Sequence, residues 1–220
     1  MIRLPRLLTA LALVAHLTSG AAHTQETPDS SVTMPPMGLG SLKQEQISIT
    51  ILNDQLTVRF EPLNEQLLRL LAPDAYRALS GLIAKNRGAI DSISRYSGAS
   101  QPGLMLLTVY ANTPDARFDP TLVGVTVNTR RIEPIGILPL DANFSRQQLA
   151  VRTVGMGLFI FSEPLPVYST LVFTYGTAAA EGWASMIPTF DRELARVSAR
   201  ARSQAQQEQP QPKPDSAPTQ

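Results

Sequence analysis

In QISITILNDQLTVRF, residues 46–60, apolar and polar residues alternate on both sides of an Asn53-Asp54 pair. Ile47, Ile49 and Ile51 precede the pair, and Leu56, Val58 and Phe60 follow it. A period of two puts each triplet on one face of a strand, and a tight turn at Asn53-Asp54 folds the two strands together. The expected pairs are Ile51 with Leu56, Ile49 with Val58, and Ile47 with Phe60, all pointing to one buried face. A folded part that opens this way is committed to antiparallel pairing over a hydrophobic core. The 220-residue chain holds no cysteine, so no disulfide can substitute for that core.

The period then changes. In NEQLLRLLAPDAYRALSGLIAKNRG, Leu67, Leu70 and Leu71 recur at helical spacing after Asn64, a suitable N-cap. Pro73 ends the first helix and suits the first turn of a second, on which Tyr76, Leu79 and Ile83 share a face. Asn86 and Gly88 supply a stop, so the helical insertion is expected over 64–87, and ISRYSG beyond it reads as turn.

From Gly103 the pattern is strand-like. LMLLTVY is a continuous apolar run suited to a strand buried on both faces, and NTPDARFDP is a long turn. LVGVTVNTRRIEPIGILPL reads as two strands about a turn near Asn128-Thr129, with Pro134 and Pro139 restricting the second to an edge or a bulge. QLAVRTV, GLFIF and YSTLVFTY add three candidates. After a loop holding Trp183, IPTFDRELARVSARARS forms a last amphipathic helix, with Phe190, Leu194, Val197 and Ala201 on one face. Arg192, Arg196 and Arg200 occupy the other side, expected to be solvated. The fold expected is mainly β: an antiparallel β-sandwich with a helical insertion after the first hairpin and a C-terminal amphipathic helix. In general shape this pattern resembles immunoglobulin-like extracellular sandwiches without their cysteine pair, a likeness that implies shape and not activity.

The ends read differently. MIRLPR, the apolar run LLTALALVAHL and the small residues TSGAA have the three parts of a secretory signal peptide, expected over 1–22. The apolar run is too short for a membrane span, which takes roughly 20 residues. No cysteine follows to take a lipid, so a lipoprotein is excluded, and the expected location is the bacterial periplasm or exterior. Residues 23–46, with TPDSS and MPPMGLGS, read as a flexible lead-in, and 204–220 as a disordered Gln/Pro-rich tail. The domain expected between them is 47–203. Losing Arg3 and Arg6 takes the 19 basic side chains to 17 against 18 acidic ones, a balance that attracts neither nucleic acid nor anionic lipid.

Both histidines, His16 and His23, precede the domain. Without histidine or cysteine inside it, the domain cannot build a serine–histidine–acid triad, a cysteine nucleophile with a histidine base, or a zinc site of the usual ligands. DANFSRQQLAVR fails as a calcium loop, with arginine at its sixth and twelfth positions, and MGLGS has no strand before it to make a phosphate loop. No cofactor, metal or catalytic residue is assigned.

Three functions remain open. The first is an exported, non-catalytic binding or assembly module that engages an envelope or extracellular protein. Its candidate contacts are Arg130 and Arg131 at a hairpin tip, Asp115 and Asp119 in the long turn, and Trp183 as an anchor. The second is a small apolar-ligand binder with a pocket between insertion and sheet, lined by Leu67, Leu71, Tyr76 and Leu79. The third is a carboxylate-dependent hydrolase drawing on Asp115, Asp119, Glu133 and Asp141.

Overall fold

The computed structural model describes residues 34–208; the expected signal peptide, the start of the lead-in and the end of the tail lie outside the described residues. β1 (Ile49–Leu52) and β2 (Leu56–Pro62) form the first hairpin, followed by α1 (Glu65–Leu68), α2 (Pro73–Lys85) and α3 (Arg87–Tyr96). Next come β3 (Gly103–Ala111), β4 (Ala116–Arg117), β5 (Val123–Val127), β6 (Arg130–Ile132) and β7 (Pro134–Pro139). Then follow α4 (Ala142–Arg146), β8 (Gln148–Leu149), β9 (Val154–Phe161), β10 (Leu171–Tyr175), β11 (Ala178–Ala180) and α5 (Trp183–Glu208). The strands pair antiparallel in the orders β1-β2-β3-β9-β7, β11-β10-β5-β6 and β4-β8.

The first hairpin forms with a different register from that expected. Ile51 pairs with Val58 and Ile49 with Phe60. The cause is Asn53, whose Oδ1 accepts from the backbone N–H of Gln55 at 2.9 Å and of Leu56 at 2.7 Å. This side-chain turn moves the hairpin tip to Asp54-Gln55. A register shift of two residues preserves the period, so Ile51, Val58 and Phe60 still face the core. Ile47 leaves the ladder for a 3-10 turn, Gln44–Ile47, and is buried there.

The apolar run LMLLTVY becomes β3, central between β2 and β9. β7 is an edge strand with a register break between Pro134 and Gly136, as its two prolines require. The segment read as two strands makes three, because the chain changes sheets at Glu133: β6 ends one sheet and β7 the other. The sheets meet at Phe60 and Phe173, whose ring centroids are 5.4 Å apart. Trp183 packs on Phe173 and Phe190, each at 5.5 Å, and donates its indole N–H to the Val167 carbonyl at 2.8 Å. It opens α5 and does not sit in a loop.

Two further segments depart from expectation. Helix continues past Asn86, which ends α2 and starts α3, so ISRYSG is helical to Tyr96. The stop lies at Gly98, with φ of +72°, and not at Gly88. What holds α3 is tertiary: Ile93 lies over Gly136 of β7, where a Cβ would come within 2.6 Å of the Ile93 side chain. Residues 34–46 form a strap against the helices. Leu42 is buried, its N–H donates to Leu70 O at 3.0 Å, and its carbonyl accepts from Ala72 N at 2.9 Å. Arg69 adds a bond to Pro35 O at 2.9 Å. α5 reaches Glu208, beyond the boundary expected at 203.

Candidate interaction surface

Strand register arranges the side chains opposite the Phe60 face of the five-stranded sheet into rows. Leu52, Thr57, Tyr110 and Val154 make one row, and Thr50, Arg59, Thr108 and Met156 the next. Glu61, Leu106, Leu158 and Leu138 make a third, and Leu104, Ile160 and Gly136 a fourth. α3 covers the fourth row through Ile93, and Leu106, Leu158 and Ile160 are buried. The first two rows carry apolar side chains left in solvent: Leu52 is 73% exposed, Met156 38% and Tyr110 36%. The loop before β9 is tied to Ala111 by two backbone hydrogen bonds and adds Val151, 45% exposed, at the same end. One sheet face is thus half covered and half open.

Arg59 and Glu61 stand on the border. Arg59 donates Nε–H to Ser48 Oγ at 3.0 Å, and its Nη2 lies 3.9 Å from Glu61 Oε2. Glu61 is 1% exposed. Its Oε2 accepts from the Gln44 amide at 2.8 Å, while Oε1 has no hydrogen-bond partner among the described residues. Burial pushes its pKa up, the Gln44 bond and the Arg59 charge pull it down, and Glu45 pushes it up again, leaving it at about 7.

A second buried acid, Glu193, faces inward from α5. It accepts from Ser41 Oγ at 2.8 Å and from Arg200 at 3.0 Å, with Arg196 at 3.5 Å. Burial alone would raise its pKa, but the bonds from Ser41 and Arg200 outweigh burial and hold the carboxyl below its ordinary value. The arginine row of α5 is therefore not a uniformly solvated face: Arg196 and Arg200 turn to Glu193, and Arg200 also donates to Leu39 O.

The residues singled out from sequence have neighbours within the fold, and Arg130 and Arg131 remain exposed. Arg130 pairs with Glu163, and Arg131 with Glu133 at 3.6 Å. Asp119 caps the turn after it, accepting from Thr121 Oγ1 at 2.6 Å and Thr121 N at 2.8 Å, and these bonds lower its pKa. Asp141 caps α4 through Phe144 N at 2.8 Å and also accepts from Met156 N at 2.7 Å. Asp115 takes a left-handed φ of +52° in its turn. Asp119 and Asp141 thus have local structural tasks. Leu67, Leu71 and Leu79 are packed in the core. Tyr76 lines a groove of about 420 Å³ with Glu65, Ser80, Ile83 and Arg87, a mixed polar lining. A second groove of about 550 Å³ runs beside α3 past Arg87, Asp91, Arg95 and Ser100.

Among the described residues, no group of three or more His, Cys, Asp or Glu side chains is placed to hold a metal ion, and no helix is long and apolar enough to cross a membrane. Sequence reasoning missed Tyr110, Met156, Arg59, Glu61 and Glu193. For Glu193 a signal existed: it lies three residues after Phe190 and four before Val197, inside the apolar stripe of its helix. Glu61 had none, because the elements that bury it are remote in sequence. Compared with known family models, curated proteins and solved structures, the chain matches none of them.

Proposed function

We propose that this chain is an exported, non-catalytic binding or assembly module of the bacterial cell envelope that engages a protein partner. The docking surface is the open half of the five-stranded sheet. One observation carries the reading: Leu52, Tyr110, Met156 and Val151 are left in solvent at one end of a sheet whose other rows are covered. An apolar surface with aromatic and methionine side chains, interspersed with threonines, has the composition of an interface. The contact of Phe60 in one sheet with Phe173 in the other supports a sandwich-like scaffold of the immunoglobulin-like shape, which would present such a face rigidly. The near-neutral charge balance fits a protein partner better than nucleic acid or anionic lipid.

The test is site-specific photo-crosslinking in the native envelope, with Tyr110→p-benzoylphenylalanine in one chain and Arg130→p-benzoylphenylalanine in another. A defined adduct from position 110 that disappears with Met156→Glu, and no adduct from position 130, is the expected result. Adducts from position 130 alone would move the interface to the hairpin tip.

A further inference from the structure

Glu61 lies in the first covered row, and Arg59, one row away on the same strand and face, belongs to the open half. The carboxylate is enclosed, bonded by one neutral amide, and approached by the Arg59 guanidinium without a hydrogen bond. One of its oxygens has no partner among the described residues. A buried anion held so thinly is close in free energy to its neutral form.

We propose that Glu61 is a proton switch for the open half of the sheet. Taking a proton on Oε1 removes the counter-charge of Arg59, leaves its guanidinium tethered by Ser48 alone and lets the charge turn toward Thr108 and Met156. Losing that proton draws Arg59 back and neutralises the surface. The partner this face accepts therefore meets an added positive charge on the acid side of neutrality and an uncharged border on the alkaline side. That consequence rests on the open half being the docking surface; the switch itself does not.

The charged groups that face Glu61 are Arg59, from its own strand, and Glu45, from the 3-10 turn. The neighbouring strand presents Leu106 beside it, and α3 lies on this face through Ile93, with Ile90 buried. Burial brings the Glu61 pKa to about 7. Both histidines, His16 and His23, precede the described residues, so no imidazole within them competes for a transition near neutrality. A midpoint there, read at Arg59 or Met156, reports Glu61.

The experiment is a pH titration of the full chain by NMR, following the side-chain carboxyl carbons of glutamate, the Arg59 Nε–H and the Met156 methyl. Expected is one common midpoint near 7 at all three sites, lost at Arg59 and Met156 in Glu61→Gln. Arg59→Gln gives an independent check, moving the Glu61 midpoint upward while the Met156 response shrinks. An ordinary carboxylate midpoint for Glu61, or a Met156 transition that survives Glu61→Gln, overturns the switch. Adduct formation from position 110, repeated across the same pH range, separates the two readings. A common midpoint with no adduct at any pH upholds the switch and removes the docking surface; an adduct whose yield tracks neither pH nor Glu61→Gln removes the regulation and leaves the surface.

Discussion

Ser41 donates its hydroxyl to Glu193 over 2.8 Å, joining residues 152 apart in sequence. Arg200 completes the junction, bonding Glu193 at 3.0 Å and the Leu39 carbonyl as well. One buried carboxylate thereby fastens the strap to the last helix. Glu193→Ala leaves Ser41 without its acceptor and Arg200 with the Leu39 carbonyl alone, and is expected to lower stability by about 2–4 kcal/mol. Glu193→Gln keeps an acceptor for Ser41 and costs less. Urea denaturation of the three chains decides the matter, and an unchanged midpoint for Glu193→Ala would mean the junction contributes nothing.

The two buried glutamates give opposite pH dependences. The Glu193 pKa is held below its ordinary 4.5, so its contribution is present above that value and lost as pH falls through the folded pKa. The Glu61 pKa is raised from 4.5 to about 7, so its contribution is full below 4.5 and lost as pH rises through about 7. The loss at Glu61 is on the order of 3 kcal/mol at most. Wild-type stability is expected to fall between about pH 5 and pH 8, and Glu61→Gln to flatten that fall. Equal denaturation midpoints at both pH values in the wild type would sink this assignment.

The strap also depends on a glycine. A Cβ on Gly40 would sit 2.2 Å from the Leu70 carbonyl carbon, and backbone cannot yield as a flexible side chain does. Gly40→Ala is expected to lift the strap from the α1–α2 corner at a cost of about 1–3 kcal/mol. Hydrogen exchange of the Leu42 and Ala72 amides, which bond across that corner, should accelerate in the variant. Protection equal to wild type at both amides would show that the corner adjusts around a methyl group.

What the sequence made legible was short-range. Alternation in 46–60 specified a hairpin and its buried face, and Pro134 and Pro139 specified an edge strand, because both signals act within a few residues. The exact register was not legible, since it turned on whether Asn53 used its side chain to make the turn. α3 was missed because a stop at Asn86-Arg87-Gly88 is locally reasonable, and packing remote in sequence, with Ile93 over Gly136 and Ile90 buried, accompanies the continued helix. The open rows escaped for the same reason: Tyr110 and Met156 become neighbours of Arg59 and Thr108 only through pairing of strands distant in sequence. Of the acids beside the hairpin-tip arginines, Glu133 lies two residues from Arg131 and was in view, whereas Glu163 reaches Arg130 only through the fold.

Trp183 was offered from sequence as an interface anchor, and its environment gives a sharp expectation. It is fully buried, its indole N–H is used by Val167 O at 2.8 Å, and its ring joins Phe173 of the four-stranded sheet to Phe190 of α5. Trp183→Ala removes the contact between sheet and helix and leaves a carbonyl without its donor, at an expected cost of about 3–5 kcal/mol. Trp183→Phe keeps most of the apolar volume, loses the hydrogen bond and should cost roughly half as much. Arg130→Ala and Arg131→Ala, at exposed pairs, should stay within about 0.5 kcal/mol of wild type. Thermal and urea denaturation rank the four variants. A Trp183→Ala chain as stable as the arginine variants would mean that the helix does not depend on this ring for its attachment.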